Sequence, residues 1–157
     1  MSKRLNPYTV APETMKPLIA LEASIKESGL EHSLIELVKM RASQINGCAY
    51  CLHMHSSEAR QAGESEARLY LLDAWHESEL YSPRERAALA WTEALTLISQ
   101  THAPDSAYEE ALRHFGEAEM VKLTLLIGTI NLWNRIAIGF RSNHPNDRPR
   151  ASAAAAG

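Results

Sequence analysis

Glu36-Leu-Val-Lys-Met-Arg-Ala-Ser-Gln-Ile-Asn-Gly-Cys-Ala-Tyr-Cys-Leu-His-Met-His55 contains the end of one helix, a turn and the start of another. Leu34, Leu37, Val38, Met40 and Ile45 recur at helical spacing and give the segment from about His32 to Ile45 an apolar face. Asn46-Gly47 is a helix stop, because glycine adopts the left-handed conformation that ends a helix without a Cβ penalty. The next helix opens at Cys48 and runs to about Ala62, where Gly63 closes it.

The rest of the chain repeats this pattern of helix and stop. Pro12, then Leu18, Ile19, Leu21, Ala23 and Ile25, predict a first helix ended by Gly29. Ser65 caps a short helix through Leu72. Ser82-Pro83-Arg84-Glu85 combines an N-cap serine, proline at the first helical position and glutamate at N3, ahead of Ala87, Leu89, Trp91 and Leu95. Pro104-Asp105 starts a helix that Gly116 ends, and an apolar segment follows to Phe140. No stretch alternates as a half-buried strand does, so the expected class is all-α with about six to seven helices. Residues 1–142 are expected to form one domain. From 143 to 157 the chain has too little apolar surface to pack, which predicts a mobile C-terminal tail.

At 157 residues the chain can bury about two-thirds of its unfolded surface and needs no disulfide to fold. Its formal charge is -3 with both signs interspersed, which argues against a nucleic-acid partner. Met120 to Phe140 is the most apolar stretch, but Lys122, Asn131, Asn134 and Arg135 interrupt it, so it reads as a buried core helix with no membrane role. Met1-Ser-Lys-Arg-Leu-Asn-Pro7 lacks the apolar core of a signal peptide, and the cytoplasm is the expected compartment.

The chain has two cysteines, both in Cys48-Ala-Tyr-Cys51. In a reducing compartment such a pair is a redox dithiol or half of a metal site more readily than a staple. On a helix starting near Cys48, the spacing i, i+3, i+7 places Cys48, Cys51 and His55 within about 60° of arc. The positive end of the helix favours thiolate and lowers the thiol pKa below its free value of about 8.5. His55, one turn after Cys51, can take the thiol proton or stabilise the anion. A dithiol so placed can reduce a peroxide through sulfenic acid and disulfide, with an external dithiol or disulfide reductase as donor and with neither flavin nor metal as cofactor.

The Glu36–His55 segment resembles the signature of the carboxymuconolactone decarboxylase superfamily, in its alkylhydroperoxidase D-like (AhpD-like) branch, which shares Glu, CxxC and His at this spacing. The resemblance is most specific over residues 36–63 and extends through the Ser82 helix to Asn131-Leu-Trp-Asn-Arg135. It implies a helical bundle with an antiparallel core, homo-oligomers that are trimers or hexamers, and peroxidase activity coupled to a dithiol donor. By position, Cys51 would be the peroxidatic cysteine, Cys48 the resolving one, and Glu36 with His55 a proton relay. For Glu36 to meet His55, its helix has to fold back across Asn46-Gly47. The best-known branch members carry histidine immediately before the second cysteine, where this chain has Tyr50.

Other readings compete. The cysteines could be two small buried residues. Zinc could use Cys48, Cys51 and His55, but His53 lies roughly 140° from Cys48 on a helix and cannot complete the tetrahedron. Glu36 alone is an ordinary helix glutamate, with Lys39 or Arg41 as partner. Tyr50 either lines a substrate pocket or packs. Trp91 and Trp133 read as core or subunit interface, and His76, His102 and His114 have no companion at catalytic spacing. A ring decarboxylase or a redox sensor that switches without turnover are the alternative functions; the former needs no dithiol.

Overall fold

The computed structural model describes residues 4–143, and every regular element among them is helical. In chain order these are α1 (Pro7–Val10), α2 (Pro12–Lys26), α3 (His32–Asn46), α4 (Ala49–Gln61), α5 (Glu66–Leu71), a 3₁₀ helix (Leu72–Glu77), α6 (Pro83–Thr96), α7 (Ile98–Thr101), α8 (Asp105–His114) and α9 (Glu117–Phe140). The all-α class is therefore as read from the sequence, and the longer α-helices are those its apolar spacing predicted. The single-turn α1 and α7 are additional. The tail expected over 143–157 lies, from residue 144 onward, outside the described residues.

Local chemistry accounts for the boundaries. The capping box at α6 is complete: the Glu85 N–H donates to Ser82 Oγ at 3.2 Å, and the Ser82 N–H donates to Glu85 Oε2 at 2.8 Å. Gly47 ends α3 at φ 69°, the left-handed geometry that its missing Cβ permits. The helix capped by Ser65 stops at Leu71, one residue short of expectation, and tightens into the 3₁₀ segment. That turn keeps Leu72 and Trp75 in the core, while Arg86 Nη1 donates to the carbonyls of Trp75 and Ser78, both at 2.9 Å.

Helix α3 runs through the middle. Leu34, Ile35 and Val38 pack with Trp91, Phe115, Leu123, Leu126 and Ile127, whereas Leu37 and Met40 pack with Ala59, Leu72, Trp75 and Leu89. α3 thus divides two apolar clusters, with α4, α6 and α9 packed against it. α3 and α4 are antiparallel across the Gly47 turn, because a residue early in α3 meets one late in α4, as Glu36 meets His55.

α9 is long and apolar enough to cross a membrane by length and composition, yet its inner face is tied to other helices by polar contacts. Asn46 Nδ2 donates to Asn131 Oδ1 at 2.9 Å and to Asn134 Oδ1 at 2.8 Å, and Asn134 Nδ2 donates to Ser43 Oγ at 3.0 Å. The sequence reading of a buried core helix applies to this face alone. Val121, Leu125 and Leu132, at i, i+4 and i+11, form an exposed apolar stripe on the other.

Asn134 is fully buried. Replacing it with alanine removes one of the two acceptors of Asn46 Nδ2 and the donor to Ser43 Oγ and leaves a cavity, so Asn134→Ala is expected to lower the unfolding free energy by roughly 1–3 kcal/mol. Urea denaturation checks this, and an unchanged midpoint would show that the asparagine contacts do not hold α9 to α3.

Candidate active site

The α3–α4 hairpin brings together two residues 19 apart: His55 Nδ1 lies 2.9 Å from Glu36 Oε2, and both side chains are buried. A carboxylate only accepts, so the ring nitrogen donates and the contact selects the Nδ1–H form of His55. One turn beyond Glu36 on α3, Lys39 is also buried; its Nζ pairs with Glu22 from α2 and stands 4.0 Å from Glu36 Oε1. Trp133 Nε1 on α9 donates to the other oxygen of Glu22 at 3.1 Å. Four helices thus meet in one chain of charges. Lys39 supplies the compensating charge that a carboxylate as buried as Glu36 requires.

Cys48 is not the first helical residue of α4, as the sequence suggested, but its cap. Its backbone is extended, and its Sγ accepts the Cys51 N–H at 3.3 Å. The two cysteines are joined as a disulfide, with Cα atoms 5.4 Å apart, and both are buried. They differ in access. Cys51 lines a cavity of about 270 Å³, together with His55, whereas Cys48 lies behind it.

The cavity wall mixes apolar and charged groups. Tyr8, Tyr50, Met54, Trp133, Ile136 and Ala137 supply the apolar part, and Glu22, Lys26 and Glu58 the charges. Tyr50, for which the sequence left two roles open, faces the cavity. Trp133, expected in the core or an interface, is half-buried in the same wall. Tyr8 reaches the site because the unforeseen α1 turns the N-terminal segment toward it, and burial followed by the neighbouring Tyr50 holds its phenol above the ordinary value.

Glu58 is the residue that sequence reasoning missed. Its Oε2 lies 3.3 Å from the same His55 Nδ1. Its signal was the His-x-x-Glu spacing, which puts both side chains on one helix face. Burial works against a charge on His55, but the hydrogen bonds to Glu36 and then Glu58, with the Glu36 charge, hold its pKa above the ordinary value. Conversely, the hydrogen bond from His55 holds Glu58 below the usual carboxylate range. The arrangement therefore favours an imidazolium between two carboxylates.

Oxygen and nitrogen atoms of Glu36, His55 and Glu58 lie within 4.8 Å of one another, a spacing that a cation could bridge. Lys39 Nζ already stands 4.0 Å from Glu36 Oε1, and the Nδ1 that a cation would need carries the hydrogen donated to Glu36. The zinc set of Cys48, Cys51 and His55 loses its thiolates to the disulfide. His53 is half-buried on α4 and outside this group. His76 pairs with Glu93 at 3.3 Å and His114 with Glu110 at 3.2 Å, both away from the cavity.

The family model for carboxymuconolactone decarboxylases matches residues 12–94, which span α2 to the end of α6 apart from its last turn. The uncharacterized protein YdfG of Bacillus subtilis is 46% identical over 138 residues, covering 88% of this chain and 94% of that protein. The crystal structure of a protein of unknown function from Agrobacterium tumefaciens is 50% identical, covers 92% of this chain and 99% of its own, and superposes with a TM-score of 0.89. The debrominase Bmp8 shares the fold at 21% identity and a TM-score of 0.74, with 84% of this chain and 71% of that one covered. On the matching model and these relatives, the chain belongs to the carboxymuconolactone decarboxylase family, in its AhpD-like branch.

Proposed function

We propose that the protein is a thiol-dependent alkylhydroperoxidase. The observation that carries this reading is a half-apolar cavity on which Cys51 and His55 both open, with Cys48 bonded to Cys51 from behind and Glu36 bonded to His55 from within. In the reduced protein, Cys51 thiolate attacks the terminal oxygen of a hydroperoxide. The O–O bond breaks, and the departing alkoxide takes a proton from His55 to leave as alcohol. Cys51 is then a sulfenic acid. Cys48 thiolate displaces its hydroxyl, which leaves as water on protonation, and the disulfide forms. An external dithiol or disulfide reductase returns two electrons and two protons. Each cycle converts one hydroperoxide and one donor dithiol into alcohol, water and donor disulfide.

Tyr8, Met54, Ile136 and Ala137 offer an alkyl group an apolar wall, with Tyr50 beside Cys51 as a substrate contact. The Agrobacterium relative, half identical to this chain, has been put forward as an antioxidant defence protein AhpD. The cytoplasm keeps such a donor reduced and suits the cycle. A homo-oligomer, trimer or hexamer, would cover the exposed stripe of α9.

Treating the reduced protein with one equivalent of an organic hydroperoxide should remove two hydrogens from its mass and link Cys48 to Cys51; persistence of both thiols would overturn the reading. Cys51→Ser should abolish turnover. Cys48→Ser should stop at a sulfenic acid on Cys51, detectable as a dimedone adduct.

The raised pKa of His55 also has a stability consequence. The contribution is fully present below the unfolded value of about 6.5 and is lost as pH rises through the folded pKa. Glu36→Gln should bring the His55 midpoint down, measured by NMR of the ring protons, and with it the alkaline limit of peroxide turnover. An unmoved midpoint would remove Glu36 from the relay.

A further inference from the structure

His55 Nδ1 faces two carboxylates of opposite accessibility. Glu36 Oε2 stands at 2.9 Å with a side chain 2% exposed, and Glu58 Oε2 at 3.3 Å with a side chain 37% exposed. The Glu36 contact is a hydrogen bond and the Glu58 contact an ion pair to the same nitrogen, and because both face Nδ1, Nε2 is left to exchange protons with a thiol. The inner carboxylate is sealed. Glu36 Oε1 is buried with no hydrogen-bond partner, its neighbouring cation Lys39 at 4.0 Å, and Glu36 does not line the cavity that Cys51 opens on. Glu58 does line it. Of the two, only Glu58 touches both the imidazole and the solvent of that cavity.

We propose that Glu58 is a positioning residue of the dithiol site, the outer arm of a carboxylate clamp that orients His55 by Nδ1 and passes its proton to and from cavity water. This rests on the dithiol reading to the extent that His55 serves the cysteines. When a donor thiolate attacks Cys51, a donor–Cys51 disulfide forms as the Cys48–Cys51 bond breaks; the donor's second thiolate then displaces Cys51 and leaves as donor disulfide, and each released protein thiolate takes a proton from His55. The imidazole regains each over Glu58 from cavity water, into which the donor's two thiols have shed theirs, so the protons balance.

The charged and titratable groups around the ring are Glu36 and Lys39 on α3, Glu22 and Lys26 on α2, Tyr8 on α1, and Tyr50, Cys51 and Glu58 on α4. Glu36, by a hydrogen bond, and Glu58, by an ion pair, are the two carboxylates against His55 Nδ1, so loss of Glu58 removes one of its two direct anionic partners. The ratio of protonated to neutral ring at a given pH should then fall about tenfold, a midpoint shift of about one unit.

The test is reduction of the Cys48–Cys51 disulfide by dithiothreitol from pH 5 to 9, followed by stopped flow, beside an NMR titration of His55. Neither needs a peroxide. Glu58→Gln should move the His55 midpoint and the pH profile of reduction down together, and Glu58→Asp should restore at least half of the shift. A slower reduction with neither midpoint moved is a merely structural effect and overturns the proposal, as do two unchanged profiles. Should Glu58→Gln lose its helical circular dichroism, Glu58→Ala decides in its place: a midpoint below wild type supports the proposal, and an unshifted one overturns it. Wild-type protein that reduces no hydroperoxide while the paired shift is seen would refute the peroxidase reading and leave the role of Glu58 standing.

Discussion

The burial of Glu36 and Lys39 on the central helix is the constraint around which the other parts are arranged. Neither charge survives in an apolar interior unless partners reach it from other helices. α2 supplies Glu22, α4 supplies His55, and α9 pins Glu22 through Trp133. What the charges add is a requirement that four helices meet in one register, because a displaced helix leaves a buried ion without its counter-ion.

The same network places the chemistry. His55 is held from within by Glu36, so its ring orientation follows from core packing and is independent of any loop. Cys51 lies one turn before His55 on the same helix, and Gly47 sets where that helix begins relative to α3. The turn therefore fixes where Glu36 stands relative to Cys51 and His55. The polar contacts of Asn131 and Asn134 perform the matching task at the other end, holding the long α9 against α3 and, through it, one wall of the cavity.

Much of this was legible in the chain, for reasons that can be named. The Asn-Gly stop between two apolar periodicities implies a hairpin, and a hairpin centred there pairs Glu36 with His55. Glu58 was not legible, because a glutamate three residues after a histidine is the ordinary composition of a solvated helix face. Lys39 invites the same misreading; its burial comes from the closure of α2 and α9, which no local pattern encodes. Tyr8 escaped because α1 is one turn long, although Asn6 caps it and Pro7 opens it in the usual way. Trp133 was read as core or subunit interface from its apolar neighbours; it lines the cavity and donates to Glu22, a contact 111 residues away that no local pattern encodes.

The position of Cys48 as the cap of α4 bears on how tightly the disulfide holds its electrons apart from a donor. A sulfur at that position faces the unpaired N–H groups and the positive end of the helix, which stabilise a thiolate far more than a neutral disulfide sulfur. Stabilising the reduced form raises the reduction potential, so the bond becomes an oxidant and is readily surrendered. A staple meant to endure would sit elsewhere. Here the helix that Cys48 caps favours the reduced form of the pair and lowers the driving force that any reductant must bring.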